Sequence, residues 1–228
     1  MENKTYILGI ETSTNHCSVA LFEKERLLCS RLLTEEGSHS KMLTTLIQEV
    51  CEEQQVDLSM LSAIAVSIGP GSYTGLRIGL STAKGLCYGS ETPLIAIPTL
   101  SILREAARLK YPKAWICPML DARRMEVYCA LFDETGKEIV PTKAVILDEG
   151  FLSEFTEPIV VLGNGSHKWK SICTNPAILF EDGIDYPNAH FIGPLAYERF
   201  LNNSFENLVT LEPQYLKEFM GTKPKKLV

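Results

Sequence analysis

Short apolar runs broken by charged or glycine-containing turns alternate along the first half of the chain with stretches of helical periodicity. Thr5 to Ile10 reads as a buried strand, followed by the polar turn Glu11-Thr12-Ser13-Thr14-Asn15. Cys17 to Phe22 and Leu27 to Leu33 read as two further strands around the charged turn Glu23-Lys24-Glu25-Arg26, which makes an antiparallel meander. From Ser40 to Gln54, Met42, Leu43, Leu46, Ile47, Val50 and Cys51 recur at helical spacing, with Gln48, Glu49, Glu52 and Glu53 opposite. Ala63 to Ile68 is a fourth strand, Gly69-Pro70-Gly71-Ser72-Tyr73 a sharp turn, and Thr74 to Tyr88 a second helix. Leu94 to Ile97 and Thr99 to Lys110 add a strand and a helix, giving the order βββαβαβα.

The pattern starts again near Ala114. Ala114 to Leu120 and Met125 to Phe132 predict a hairpin around Asp121-Ala122-Arg123-Arg124, with another strand in Glu138 to Leu147. Ile159 to Leu162 runs into the turn Gly163-Asn164-Gly165-Ser166, and Gly193 to Leu201 predicts a late helix. An α/β protein of two lobes follows, residues 1–110 and 111–228, with the closing segment Leu211 to Lys217 packing back on one of them.

A length of 228 residues suits one large domain or two small lobes, and 45% apolar with 22% charged residues is a globular composition. The 22 basic and 28 acidic side chains leave a net charge of −6, which argues against strong nucleic-acid binding by this chain alone. The dense basic run Lys223-Pro224-Lys225-Lys226 reads as a solvated tail. Seven cysteines, with no CxxC pair and mostly within apolar runs, read as reduced thiols, not as a disulfide framework or zinc site. The N-terminus turns polar after a few apolar residues, unlike a signal peptide, and no run approaches the ~18 apolar residues of a membrane span. A cytoplasmic protein with no membrane attachment is expected.

The stretch Ser67-Ile68-Gly69-Pro70-Gly71-Ser72-Tyr73-Thr74-Gly75-Leu76-Arg77-Ile78-Gly79 is a buried strand stopped by a turn that feeds a helix N-terminus. Such an end can hold an anion, although the spacing and lysine of a Walker A loop are missing. Downstream, Gly75, Gly79 and Ala83 fall at i, i+4 and i+8, a face that lets another helix approach closely.

SIGPGSYTGLRIG, together with LGIETST, HSKML, DARRMEVY and EPQYLK in the same order, resembles the bacterial TsaB family, also called YeaZ. The resemblance spans nearly the whole chain. It implies a two-lobed actin-like (ASKHA) fold with ribonuclease-H-like βββαβα lobes, in agreement with the strand order read above. It also implies a non-catalytic partner of the paralogue TsaD and the ATPase TsaE, which together install threonylcarbamoyl on N6 of the adenosine 3′ of the tRNA anticodon. TsaD carries an HxxxH metal pair soon after an Ile-Pro. Here Ala96-Ile97-Pro98 leads into Thr99 to Glu105, which contains no histidine. ATP and a metal ion are therefore expected on partner subunits, with no cofactor bound by this chain and tRNA met only through the complex. In a kinase reading of the fold, Glu11, Thr12, Ser13, Gly69, Gly71, Ser72, Asp121, Gly163 and Gly165 would line a vestigial nucleotide cleft, where Ala122 and Arg123 crowd the approach of a phosphate.

The resemblance implies that the helices Ser40–Gln54 and Thr74–Tyr88 pack against the matching pair of TsaD. Met42, Leu43, Leu46, Ile47, Tyr73, Gly75, Leu76, Gly79, Leu80 and Ala83 are the expected contacts, with Arg77 and Lys84 as polar partners. A patch of this kind would self-associate when TsaD is absent, giving a homodimer. On this reading Gly79→Trp removes the partner and leaves the monomer folded. A free-standing enzyme, either a metal-independent peptidase or a small-molecule kinase, is the alternative. Its only nucleophile candidate is the trio Ser38-His39-Ser40, which reads as a helix cap, and there is no GxSxG elbow.

Overall fold

The computed structural model describes residues 4–35, 37 and 39–217. Strands β1 (Tyr6–Glu11), β2 (Cys17–Glu23) and β3 (Arg26–Leu33) form the meander. They are followed by α1 (His39–Gln54), β4 (Leu61–Gly69), α2 (Tyr73–Ser90), β5 (Leu94–Pro98) and α3 (Thr99–Arg108). The sheet runs β3-β2-β1-β4-β5, with β1 antiparallel to β2 and parallel to β4. Central β1 is buried at every position, which is why it reads as one apolar run and not as an alternation.

Residues 115–180 repeat this plan. Strands β6 (Trp115–Asp121), β7 (Glu126–Phe132) and β8 (Glu138–Ile146) form a second meander, then come β9 (Ile159–Leu162), α4 (Ser166–Lys170) and β10 (Ile178–Phe180). The order β8-β7-β6-β9-β10 matches the first sheet strand for strand. Where the first lobe has α1, the second has only turns over residues 147–158. The short elements α4 and β10 have no counterpart in the sequence reading, because three to five residues are too few to show a period.

Helices α1 and α2 cover one face of the first sheet, where Leu43, Leu46, Ile47, Val50, Leu80 and Ala83 join Leu8, Ile10, Val19 and Leu21. The other face is covered by α3 and by a late helix, α5 (Gly193–Leu201), through Ile102, Ile192 and Ala196. Helix α3 serves both lobes. Leu100, Leu103 and Ala107 pack on Ile116, Leu120, Ala130, Phe132 and Leu162 of the second sheet. Just beyond α3, Lys110 Nζ and Tyr111 Oη donate to Glu181 Oε2 at 2.5 Å each, and the two bonds, Lys110 first, pull the carboxyl down to about 2.

From Ala189 the chain returns to the first sheet. Helix α5 contacts β1 and β5, and Glu206 N donates to Leu94 O. Residues 211–217 then lie along α2: Gln214 N donates to Ile68 O at 2.7 Å and Lys84 Nζ to Leu211 O at 2.6 Å. Residues 111–217 therefore contribute to both lobes. Among the described residues no helix is long and apolar enough to cross a membrane.

Because Leu103 is fully buried between the lobes, Leu103→Ala is expected to cost about 3 kcal/mol. Urea denaturation followed by fluorescence checks this, since both tryptophans, Trp115 and Trp169, report the second lobe while the cavity opens on α3. An unchanged midpoint would show that α3 does not join the two cores.

Candidate functional site

The Gly-Pro-Gly turn is shaped by contact with the loop after β1. A Cβ on Gly71 would stand 2.3 Å from Ser13 O, one on Gly75 2.0 Å from Thr12 O, and one on Gly79 2.2 Å from Thr12 Oγ1. Thr12 Oγ1 donates to Gly75 O at 2.8 Å, Ser72 N donates to Ser13 O at 2.6 Å, and Gly75 N donates to Ser72 Oγ at 3.3 Å. The amide groups of Ser72 and Gly75 are thus bound within the chain.

The same geometry locates the residues expected to meet a partner. Gly75 and Gly79 abut Thr12 in the loop after β1, and Leu43, Leu46, Leu76, Leu80 and Ala83 are buried in the core of their own lobe, whereas Ile47, also buried, lines the groove between α1 and α2. Lys84 is engaged on the backbone of Leu211. Arg77 Nε donates to Tyr215 Oη at 3.0 Å, and its guanidinium lies 4.1 Å from the centroid of the Tyr73 ring. Met42 stays half-exposed on α1.

What the outer side of the helix pair does offer is different. Gly85 and Gly89, four residues apart on α2, have open space where a Cβ would stand. Tyr88 between them is 84% exposed, with Leu58 and Met60 also exposed nearby in sequence to β4. A groove of about 310 Å³ runs between α1 and α2, lined by Ile47, Cys51, Val56, Leu58 and Leu86. The signal was present in the sequence as a second small-residue spacing, Ser81-Gly85-Gly89, displaced around the helix from the first.

Between the lobes lies a cleft of about 690 Å³. Ser13, Gly71, Ser72 and Tyr73 line it from the first lobe, Asp121, Arg123, Arg124 and Asn164 from the second, and Gln214 to Lys217 from the returning segment. Of the other residues expected there, Gly69 is pressed against Gln214 O, and Gly163 and Gly165 against the backbone of Met119 and Leu120. These glycines pack backbone on backbone, as tight turns do. Thr12 and Glu11 sit beneath the floor, fully buried.

Glu11 is the unusual group. Burial pushes its carboxyl up to about 7, against the opposing pull of the bond from Ser13 N to Oε1 and of the Ser67 hydroxyl. Oε2 makes no hydrogen bond of normal geometry. The neighbouring Cys17 thiol is pushed up to about 11 by its burial and by the Glu11 charge, so it is an inert core thiol. Of the trio considered as a nucleophile, Ser38 lies outside the described residues, and His39 is buried with Nε2 3.1 Å from the His16 carbonyl oxygen.

Two sheets of one strand order, joined through a buried helix and facing each other across a cleft, define the two-lobed actin-like (ASKHA) class. A family model described as TsaD, tRNA N6-adenosine threonylcarbamoyltransferase, matches residues 34–218. Among curated relatives, the tRNA threonylcarbamoyladenosine biosynthesis protein TsaB of Buchnera aphidicola subsp. Baizongia pistaciae is 30% identical over 93% of this chain and 98% of its own. TsaB of Escherichia coli is 29% identical over 95% and 96%. The solved structure of YeaZ from Pseudomonas aeruginosa superposes with a TM-score of 0.81 at 25% identity, covering 93% of this chain and all of that one. The chain belongs to this family, in its TsaB (YeaZ) branch.

Two outcomes are expected of this site. Since the folded pKa of Glu11 lies above the unfolded value of 4.5, its carboxyl is neutral and without penalty below about pH 4.5. The penalty grows as pH rises toward 7 and reaches about 3 kcal/mol above it. Glu11→Gln is therefore expected to raise the melting temperature at pH 8 and to change it far less at pH 5; equal shifts at both values would show that Glu11 is not held protonated. Gly79→Trp, expected from the sequence to spare the fold, is now expected to prevent folding, because its side chain would enter Thr12. A folded Gly79→Trp monomer by circular dichroism would contradict this packing.

Proposed function

We propose that this chain is a non-catalytic scaffold subunit of tRNA threonylcarbamoylation, holding a TsaD partner on the outer faces of α1 and α2. The observation that carries the reading is the division of α2. One side is consumed by contact with Thr12, while the other presents Gly85 and Gly89 without neighbours beside exposed Tyr88 and an apolar groove. Two glycines one turn apart allow a partner helix to approach to backbone distance, and the groove supplies apolar area to bury. The names carried by its TsaB relatives supply the pathway. The absence of histidine from Thr99 to Glu105 leaves the metal chemistry, and ATP, to the partners TsaD and TsaE. On this reading the chain needs no cofactor of its own and works in the cytoplasm, and the same face pairs two copies when TsaD is missing.

Gly85→Trp fills open space, so it is expected to leave the melting temperature within a few degrees while abolishing co-elution with TsaD. A variant that still co-elutes moves the interface elsewhere. Threonylcarbamoyl transfer to tRNA, reconstituted from purified components, should be lost when this chain is omitted, with no turnover by the chain alone. Full transfer without it would overturn the scaffold reading, and turnover by the isolated chain would favour a free-standing enzyme.

A further inference from the structure

The mouth of the inter-lobe cleft carries a concentration of positive charge and aromatic surface that the scaffold role does not use. Arg123 and Arg124 form the tip of the β6–β7 hairpin with φ of 72° and 51°, two consecutive side-chain-bearing residues in the left-handed region. Glycine or asparagine occupies such positions with less strain. The backbone is held there by Asp121 Oδ1, which accepts from Arg123 N at 2.5 Å, and by Glu126 N donating to Arg123 O at 3.2 Å. The acidic groups beside the tip are already engaged, Asp121 by Lys168 and Glu126 by Lys217. Among the described residues no carboxylate lies within ion-pair distance of either arginine. Across the cleft, Tyr73 and Tyr215 stack with centroids 4.8 Å apart around the Arg77 guanidinium, and Tyr215 is 38% exposed. The chain is acidic as a whole, so this local excess of unpaired arginine is not a by-product of composition.

Two exposed arginines with no acidic partner among the described residues are free to meet an anion, and a partly exposed tyrosine ring beside them offers a face to a planar group. Phosphates interleaved with bases supply both, whereas a carboxylate-rich peptide supplies only the first. We propose that the cleft mouth is a direct RNA contact, with Arg123 and Arg124 on backbone phosphates of a tRNA strand and Tyr215 as a stacking surface for one of its bases. The inference rests on the proposed pathway for its choice of RNA. It adds a contact by this chain itself, where tRNA was expected to be met only through the complex.

The test is a titration of a fluorescein-labelled tRNA transcript with the full-length chain at low salt, read by anisotropy. Arg123→Asn combined with Arg124→Asn suits the left-handed backbone and is expected to fold with an unchanged or higher melting temperature. It should weaken binding at least ten-fold and reduce the slope of log affinity against log salt by about 1.4 to 1.8, the release from two phosphates. Tyr215→Leu should weaken binding and leave that slope unchanged. Absence of binding by the wild-type chain overturns the proposal, as does an arginine variant with wild-type affinity and slope. Displacement of the transcript by polyglutamate as readily as by polyuridylate would also overturn it, in favour of an acidic protein partner. Co-elution with TsaD is scored separately. Its loss in the wild type sinks the scaffold reading alone, whereas its loss in the arginine variant alone assigns the tip to a protein interface and overturns the RNA contact.

Discussion

The approach of helix α2 to the loop after β1 is the constraint on which most of this molecule's geometry depends. Three glycines, Gly71, Gly75 and Gly79, bring the helix so near Thr12 and Ser13 that any side chain there would overlap backbone or hydroxyl atoms. The contact is sealed by hydrogen bonds from Thr12 Oγ1 to Gly75 O and from Ser72 N to Ser13 O. It fixes the tilt of α2 on the sheet, and with it the position of Tyr73 and Arg77 at the cleft and of Gly85 and Gly89 on the outside. Energetically, the close approach replaces side-chain packing with backbone contact; the amides of Ser72 and Gly75 are bonded within the turn, while Glu11 Oε2 and Ser13 Oγ are buried without a partner.

That constraint also ties up part of the helix N-terminus. A helix N-terminus behind a glycine turn normally leaves amides free for a phosphate. Here a serine carbonyl and a serine hydroxyl occupy those of Ser72 and Gly75, and beneath them Glu11 is sealed from water with one oxygen unbonded. The floor of the cleft is tightly packed, and Arg123, Arg124, Tyr215 and Lys217 line its mouth.

The two lobes differ in how they are covered. The first sheet is sandwiched between α1 and α2 on one face and α3 and α5 on the other, while the second borrows α3 and has turns in place of α1. One helix thus ties the two cores together, and residues 211–217 cross from Ile68 and α2 to the β6–β7 hairpin as a second tie. The outer faces of α1 and α2 stay uncovered in the single chain, with an apolar groove and two bare glycines open on them.

Periodicity alone placed nearly every long element, from β1 through α3 and again from β6 to α5, because strands buried on one or both faces and amphipathic helices leave unmistakable spacings. The short elements α4 and β10 escaped it, having too few residues to show a period. The Gly75-Gly79-Ala83 face was legible as a site of close approach, but not which neighbour approaches. Spacing records that a surface must be flat and small, whereas only the folded chain shows Thr12 occupying it and Gly85 and Gly89 left open. In the same way the order of residues placed Arg123 and Arg124 on a turn. Their left-handed backbone, the engagement of Asp121 and Glu126 elsewhere, and the arrival of Tyr215 from more than ninety residues away were decided by tertiary structure, because they depend on contacts between segments that carry no mark of one another in the sequence.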